Sequence, residues 1–230
     1  MGLTISREAD LGREPVKKLL LTLAAPAIAS QVVNALYNMV DRMYIGHIPG
    51  DGASALTGVG VCFPVIMLVS AFASLTGMGG APRASIFMGK QDKEVAEKIL
   101  GNCCSALVIT AALLTAAVLV FRRPLLFLFG ASQGTIAFAE AYIVVYAVGT
   151  VFVQLTLGLN AFISAQGFSK ISMMTVIIGA GVNIALDPVF IFAFHMGVRG
   201  AAAATVISQA ISAAWALRFL RGRHTVLRLK

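Results

Sequence analysis

The sequence predicts an all-α integral membrane protein built on six transmembrane helices. Of its 230 residues, 58% are hydrophobic and only 12% charged, and the mean hydropathy is +0.87, far from a soluble average. Six apolar segments can be marked, at about 17–46, 53–82, 95–121, 136–158, 160–194 and 198–220, the fifth opening with a short pre-helical stretch. Each is long enough to cross a bilayer as a helix, some with tilt. The alternating pattern of a membrane β-barrel is absent, which leaves helices as the structure that satisfies the backbone in lipid.

Residues 1–15 form a polar, charged arm. The run from Lys17-Lys18-Leu19 to Ser30 then mimics a secretory signal, with Ala27-Ile28-Ala29 in the place of a cleavage triplet. Cleavage is not expected, because the apolar character continues to Ile45 and no soluble domain follows. Within this first helix Gln31, Asn34, Asn38 and Asp41 fall at i, i+3, i+7 and i+10, a single polar stripe. Lipid does not tolerate such a stripe, so it must face other helices or a water-filled cavity. Pro26 cannot donate to the carbonyl of Thr22, which gives the helix a built-in bending point. Arg42 either snorkels to the outer interface or pairs with Asp41.

Gly46-His47-Ile48-Pro49-Gly50-Asp51-Gly52 reads as a tight loop, with His47 on its surface. The second helix is expected to end in Thr76-Gly77-Met78-Gly79-Gly80-Ala81-Pro82-Arg83, whose small residues let helices approach closely. It is no phosphate loop, because no Gly-Lys-Ser/Thr follows and no strand precedes it. Gly89-Lys90-Gln91-Asp92-Lys93-Glu94 is a turn, with Asp92 placed to cap the third helix. The fourth helix carries Tyr142, Tyr146, Thr150 and Gln154 at four-residue spacing, a face that either lines a cavity or makes interhelical hydrogen bonds. The last helix sets Thr205, Ser208, Gln209 and Ser212 on one side, and residues 221–230 form a basic tail. Cys62, Cys103 and Cys104 lie in apolar segments without metal-ligand spacing and read as buried small hydrophobes. No internal repeat is evident.

The formal charge of +8 suggests nucleic acid until its distribution is followed. With the N-terminus placed in the cytoplasm, the inner side carries Arg7, Arg13, Lys17, Lys18, Arg83, Lys90, Lys93, Lys98, Lys170, Arg218, Arg221, Arg223, Arg228 and Lys230. The outer side has only Arg42, Arg122, Arg123 and Arg199. This asymmetry orients both termini to the cytoplasm. The basic balance is topological, and no nucleic-acid partner is implied.

The most informative stretch is Asn183-Ile184-Ala185-Leu186-Asp187-Pro188, deep in the fifth apolar segment. Asn183 and Asp187 are four residues apart and stack on one helical face. A carboxylate at this depth costs on the order of 3 kcal/mol on insertion scales unless it is paired, neutralised or facing water. Pro188 lacks an N–H, so the carbonyl of Ile184 loses its helical partner there and the helix can bend. A carboxylate, an amide and a backbone oxygen are all hard ligands, suited to a small cation or a proton. The alternative is a structural Asp bonded to a neighbouring helix.

Several stretches together resemble a known family. They are Tyr37-Asn38-Met39-Val40-Asp41-Arg42 with Ile45-Gly46-His47, Gly77-Met78-Gly79-Gly80 on to Gly89-Lys90-Gln91-Asp92, Ala165-Gln166-Gly167, and the Asn183 to Pro188 run continuing to Gly197-Val198-Arg199-Gly200. Over residues 16–220 the chain resembles the multidrug and toxic compound extrusion (MATE) family, specifically its amino-terminal six-helix lobe. The resemblance implies half of a twelve-helix, two-lobe transporter in the plasma membrane, a non-enzymatic antiporter that exports organic cations or drugs against inward Na⁺ or H⁺. Carried over by position, it implies a coupling site of Asp41, Asn183, Asp187 and Thr205, with Pro26 at the bend of the first helix and no cofactor beyond the coupling ion. The polar stripes supply Gln31, Asn34, Asn38, Tyr146 and Gln209 as cavity-lining candidates. Asp41 near the end of helix one and Asp187 far along helix five are expected to share one polar pocket in the outer half of the membrane. The family's second lobe is missing here, so the partner is either a carboxy-terminal lobe or a second copy of the chain.

Three other classes fit the sequence less well. A rhomboid-type intramembrane protease needs a Gly-x-Ser-x motif and an intramembrane histidine, and neither His47 nor His195 is so placed. A vitamin-binding membrane subunit needs no paired carboxylates. A lipid-linked oligosaccharide flippase of the same wider superfamily favours a cationic cavity, whereas the deep charges here are acidic. The charge asymmetry makes one direct prediction. A cysteine placed near Lys230 should resist an impermeant thiol reagent added to intact cells, whereas one at Asp51 should react; equal labelling would reverse the orientation.

Overall fold

The computed structural model describes residues 15–222 and 225–229; the expected arm at 1–15 lies outside them except for Pro15. Its helices are α1 (Val16–Gly46), α2 (Gly52–Gly89), α3 (Lys93–Leu128), α4 (Ile136–Val148), α5 (Thr150–Ala165), α6 (Ser169–Pro188) with a π-helical continuation (Val189–Ala193), and α7 (Val198–Arg221). Five spans are long and apolar enough to cross a bilayer, and α4 with α5, bent by 57°, makes the sixth. The chain is therefore a multi-pass membrane protein, as its composition predicts.

The boundaries that differ do so for identifiable reasons. The expected break near residue 159 is not there: α5 runs on to Ala165, and Asn160 lies inside it, its amide donating to the Ser172 carbonyl at 3.3 Å. The fourth span instead breaks at Gly149, where the Val206 side chain of α7 occupies the space a Cβ would need. Helix α2 continues through Pro82 to Gly89, and the Ser85 hydroxyl ties this last part to the Ala165 carbonyl at 3.3 Å. Helix α3 continues through Arg122-Arg123-Pro124 to Leu128, with Arg123 Nε donating to Glu140 of α4 at 2.9 Å. In each case tertiary contacts outweigh the local cost of proline. Asp92 caps α3 as expected, accepting from the Val95 amide at 3.2 Å.

The bent α4–α5 span occupies the middle of the bundle. Helix α5 packs against α2, α3, α6 and α7, and α4 against α2, α3 and α7, while α1 lies chiefly along α6. One apolar cluster gathers around α4, including Val65, Val69, Ile143 and Ala202, and a second around α5, including Leu100, Leu107, Phe162 and Leu220. Polar side chains tie these helices together by donating to carbonyls across the interfaces. Gln154 bonds Val69 at 3.0 Å, Thr115 bonds Ala147 at 2.8 Å, Thr156 bonds Gln209 at 3.1 Å and Ser212 bonds Thr175 at 3.1 Å. In lipid, where burial of apolar surface does not drive helices together, such bonds and close packing supply the association.

The small residues at the end of the second span work as expected. Gly77 lets the α5 backbone at Gly158 come close, and Gly80 lies under the Phe162 ring and beside Cys103. Gly79 on the next face meets nothing. Gly80→Leu should therefore destabilise by about 1–3 kcal/mol, a drop of several degrees in Tm, from overpacking. Gly79→Leu should leave thermal unfolding in detergent nearly unchanged, and equal losses would contradict this packing.

Candidate functional site

The last three turns of α1 repeat Tyr37 and Asp41 on one face, four residues apart. That face meets the end of α6, where Asn183 and Asp187 sit one turn apart just ahead of the change in helix type at Pro188. Proline cannot donate to the Ile184 carbonyl, and the helix beyond it loosens into a π-turn, with the Phe194 amide bonding back five residues to Val189 at 2.9 Å. Helix α7 brings Thr205 to the same place, and α4 brings Tyr142.

The four residues assigned to a coupling site from the sequence come together. Asn183 Nδ2 donates to Asp187 Oδ1 at 3.3 Å and approaches Thr205 Oγ1 at 3.5 Å. Thr205 is held by the Ala201 carbonyl at 3.0 Å and by the Tyr142 hydroxyl. The carboxyl groups of Asp41 and Asp187 face one another within hydrogen-bonding reach. Asp187 is 0% exposed, Asn183 1% and Asp41 8%. Asp41 Oδ1, Asn183 Oδ1 and Asp187 Oδ2 are buried without a protein donor. Two carboxyls in contact at this depth cannot both carry an unshielded charge. A proton shared between them, or a hard cation among the orphaned oxygens, resolves the conflict, so the donor set fits Na⁺ or H⁺.

Two side chains at this site escaped the assignment from sequence. The Tyr37 hydroxyl lies close enough to interact with both Asp41 and Asp187, and Tyr142 contacts Thr205 and faces Asp41. Tyr37 had a signal, its four-residue offset from Asp41; Tyr142 had only its place on a polar-aromatic face.

The cavity-lining candidates divide into two groups. Gln31 and Asn38 are exposed on α1 and Asn34 is half-buried, and they bond within their own helix, Asn38 Nδ2 to the Asn34 carbonyl at 2.7 Å and Asn34 to Gln31 at 3.4 Å. Asn38 also lines an open groove of about 610 Å³ with Met39, Arg42, Met43, His47 and Leu56. Tyr146 does not line an open cavity. It is buried in the α4 cluster and stacks on Tyr142, ring centroids 6.2 Å apart, because its face of α4 points into the bundle. Gln209 likewise turns inward, half-buried, with its Oε1 enclosed. The whole Tyr142, Tyr146, Thr150 and Gln154 face is internal to the lobe. Arg42 turns its guanidinium onto the Phe63 ring, 5.3 Å from the centroid, while its charge still acts on Asp41.

A multi-pass helical bundle with a buried carboxyl pair joining its first span to the rest defines the class of membrane protein. The MatE family model matches residues 26–189, and the chain belongs to that family. It is 25% identical over 210 residues to the multidrug export protein MepA of Staphylococcus haemolyticus (strain JCSC1435), covering 91% of this chain and 46% of that protein. Among solved structures it superposes on a MATE protein in the bent conformation with a TM-score of 0.86 at 27% identity, covering 93% of this chain and 47% of that one. An outward-facing multidrug resistance MATE transporter of the MOP superfamily gives a TM-score of 0.88 at 26% identity, with 98% of this chain and 49% of that one covered. The chain thus spans about half the length of the relatives it matches, one lobe of their two-lobe architecture.

The burial of two acids predicts a stability cost at the site. In sodium-free alkaline buffer Asp187→Asn, which keeps size and hydrogen bonding but removes one charge, should be more stable than the parent by about 1–2 kcal/mol, a rise of a few degrees in detergent melts. A lower Tm for the variant would show the pair to be a net stabilising contact.

Proposed function

We propose that this chain is the amino-terminal lobe of a cation-coupled antiporter that exports organic cations or drugs, with Na⁺ or H⁺ taken up at Asp41, Asp187, Asn183 and Thr205. The single observation that carries the proposal is the contact of two buried carboxyls, each with one oxygen lacking a donor, beside the equally orphaned Asn183 Oδ1. Membership of the MatE family and similarity to MepA support export as the activity of the assembled protein. The runner-up, a flippase for phosphate-bearing lipid, is disfavoured by the acidic character of the site.

The mechanism follows from the site's position. Both acids lie at the same end of the bundle, Asp41 just before the end of α1 and Asp187 just before the end of the fifth span. With the termini cytoplasmic, that end faces the exterior, where the driving ion enters. Uptake of a proton or Na⁺ removes the repulsion between α1 and α6 and changes how closely they pack. Helix α1, carrying Pro26, is the element that responds. Its rearrangement would narrow the cavity between two lobes and expel a bound cation. Exposure of Ile28, Val32, Leu36 and Met39 beside the polar Gln31 and Asn38 supports a partner surface over α1, supplied by a carboxy-terminal lobe or a second copy.

In a two-lobe protein Asp41→Asn and Asp187→Asn should each reduce export of a cationic dye at least tenfold, from everted vesicles or loaded cells, while insertion is unchanged. Asn183→Ala and Thr205→Ala should weaken the ion dependence without eliminating transport. Normal export by Asp187→Asn with unchanged sodium and pH dependence would refute the coupling assignment and leave Asp187 as a structural residue.

A further inference from the structure

The stretch Ala165-Gln166-Gly167 carries part of the family resemblance, yet it lies far from the carboxyl pair. Gln166 follows the last residue of α5 and is 0% exposed, and Gly167, at φ +87°, turns the chain toward α6. Its Nε2 donates to the Phe162 carbonyl at 3.1 Å, which fixes the amide and aims Oε1 away from α5. That one oxygen accepts from the backbone amides of Val226 at 3.0 Å and Leu227 at 2.8 Å, with the Thr225 hydroxyl as a third donor at 2.7 Å. The Arg228 amide donates to Glu97 Oε1 of α3 at 3.2 Å, and the Leu229 amide returns to the Leu220 carbonyl of α7 at 3.0 Å. Glu97 is itself buried, with Lys93 Nζ 3.9 Å away. Leu227 is fully buried in the cluster of Leu100, Phe168 and Leu220.

We propose that the end of α5 and the adjoining face of α3 form a docking socket for an extended peptide segment, occupied by residues 225–229 as a strap. The socket reads main chain, because Gln166 Oε1 and Glu97 Oε1 both take backbone N–H groups, and it reads one apolar side chain through the Leu227 site. Each half needs the other: without the strap, Gln166 Oε1 loses three donors and Glu97 one of its own, and without the socket, three successive amides lose their acceptors. The strap joins α3, the α5–α6 turn and α7 at the end of the bundle opposite Asp41 and Asp187. It holds that end as one body.

Hydrogen exchange of the whole chain in detergent micelles tests this. The amides of 226–228 should exchange at least about a hundredfold more slowly than a free peptide, and Gln166→Leu, which keeps the volume and removes the acceptor, should accelerate them by about tenfold or more. Amides within α2 and α5 should not change. Leu227→Asp, which alters the strap and leaves the socket intact, should produce the same local loss, and it stands alone should Gln166→Leu not fold. Exchange at the free-peptide rate in the parent chain, or full protection surviving either variant, would overturn the proposal.

Discussion

Two carboxyl groups in contact inside a membrane bundle impose a condition that the surrounding structure must meet. Each is affordable only when a proton, a cation or water compensates it, and Asp187 is closed off from solvent. The protein surrounds the pair with neutral polar groups rather than with a basic side chain. Asn183, Thr205, Tyr37 and Tyr142 can adjust hydrogen bonds but cannot neutralise a charge. Arg42 acts on Asp41 through its charge, but its guanidinium rests on the Phe63 ring. A permanent salt bridge would silence the pair, and in the proposed coupling the compensating charge is the ion's.

The way the helices are attached decides which of them can respond. Helices α2 to α7 are cross-linked by side chains donating to carbonyls on other helices, including Gln154 to Val69 and Ser212 to Thr175. On α1 the comparable side chains turn back on their own helix: Ser30 to the Pro26 carbonyl at 2.8 Å, and Asn38 to that of Asn34. Helix α1 is held by packing along α6 and, at its far end, by the acid pair itself. The carboxyl pair is therefore a main tie between α1 and the rest of the described bundle.

Much of this was legible in the sequence, and the exceptions share a cause. Hydropathy located six spans, and helical spacing put Asn183 beside Asp187 and singled out Asp41 on the polar stripe of the first helix, because those signals are local and periodic; Gln31 and Asn38 of that stripe are exposed all the same. The 57° break at Gly149 could not be read, since it depends on Val206 arriving from α7, 57 positions later in the chain. The second and third helices run past their expected ends near 82 and 121, because the Ala165 carbonyl and Glu140 hold their last turns from other helices. Tyr146 and Gln209 read as cavity residues because a polar stripe looks the same whether it meets water or another helix. Gln166 has no periodic signal at all; its partners lie about sixty residues further on.

The two ends of the bundle consequently carry opposite kinds of polar chemistry. At one end the strap gives each buried acceptor a neutral backbone donor, so the hydrogen bonds are complete without any ligand. At the other end three buried oxygens of Asp41, Asn183 and Asp187 stay without a protein donor, the deficit that the proposed ion or proton would fill. A lobe satisfied throughout would have no reason to change with ion binding, and one unsatisfied throughout would not hold its fold. Unpartnered buried atoms also occur at Thr150, Gln154, Asn160 and Gln209, but among the described residues it is where α1 meets α6 that they belong to a pair of facing carboxyls. In the proposed coupling, a few kcal/mol of ion binding would be expressed at that contact, as movement of the helix that the carboxyl pair ties to α6.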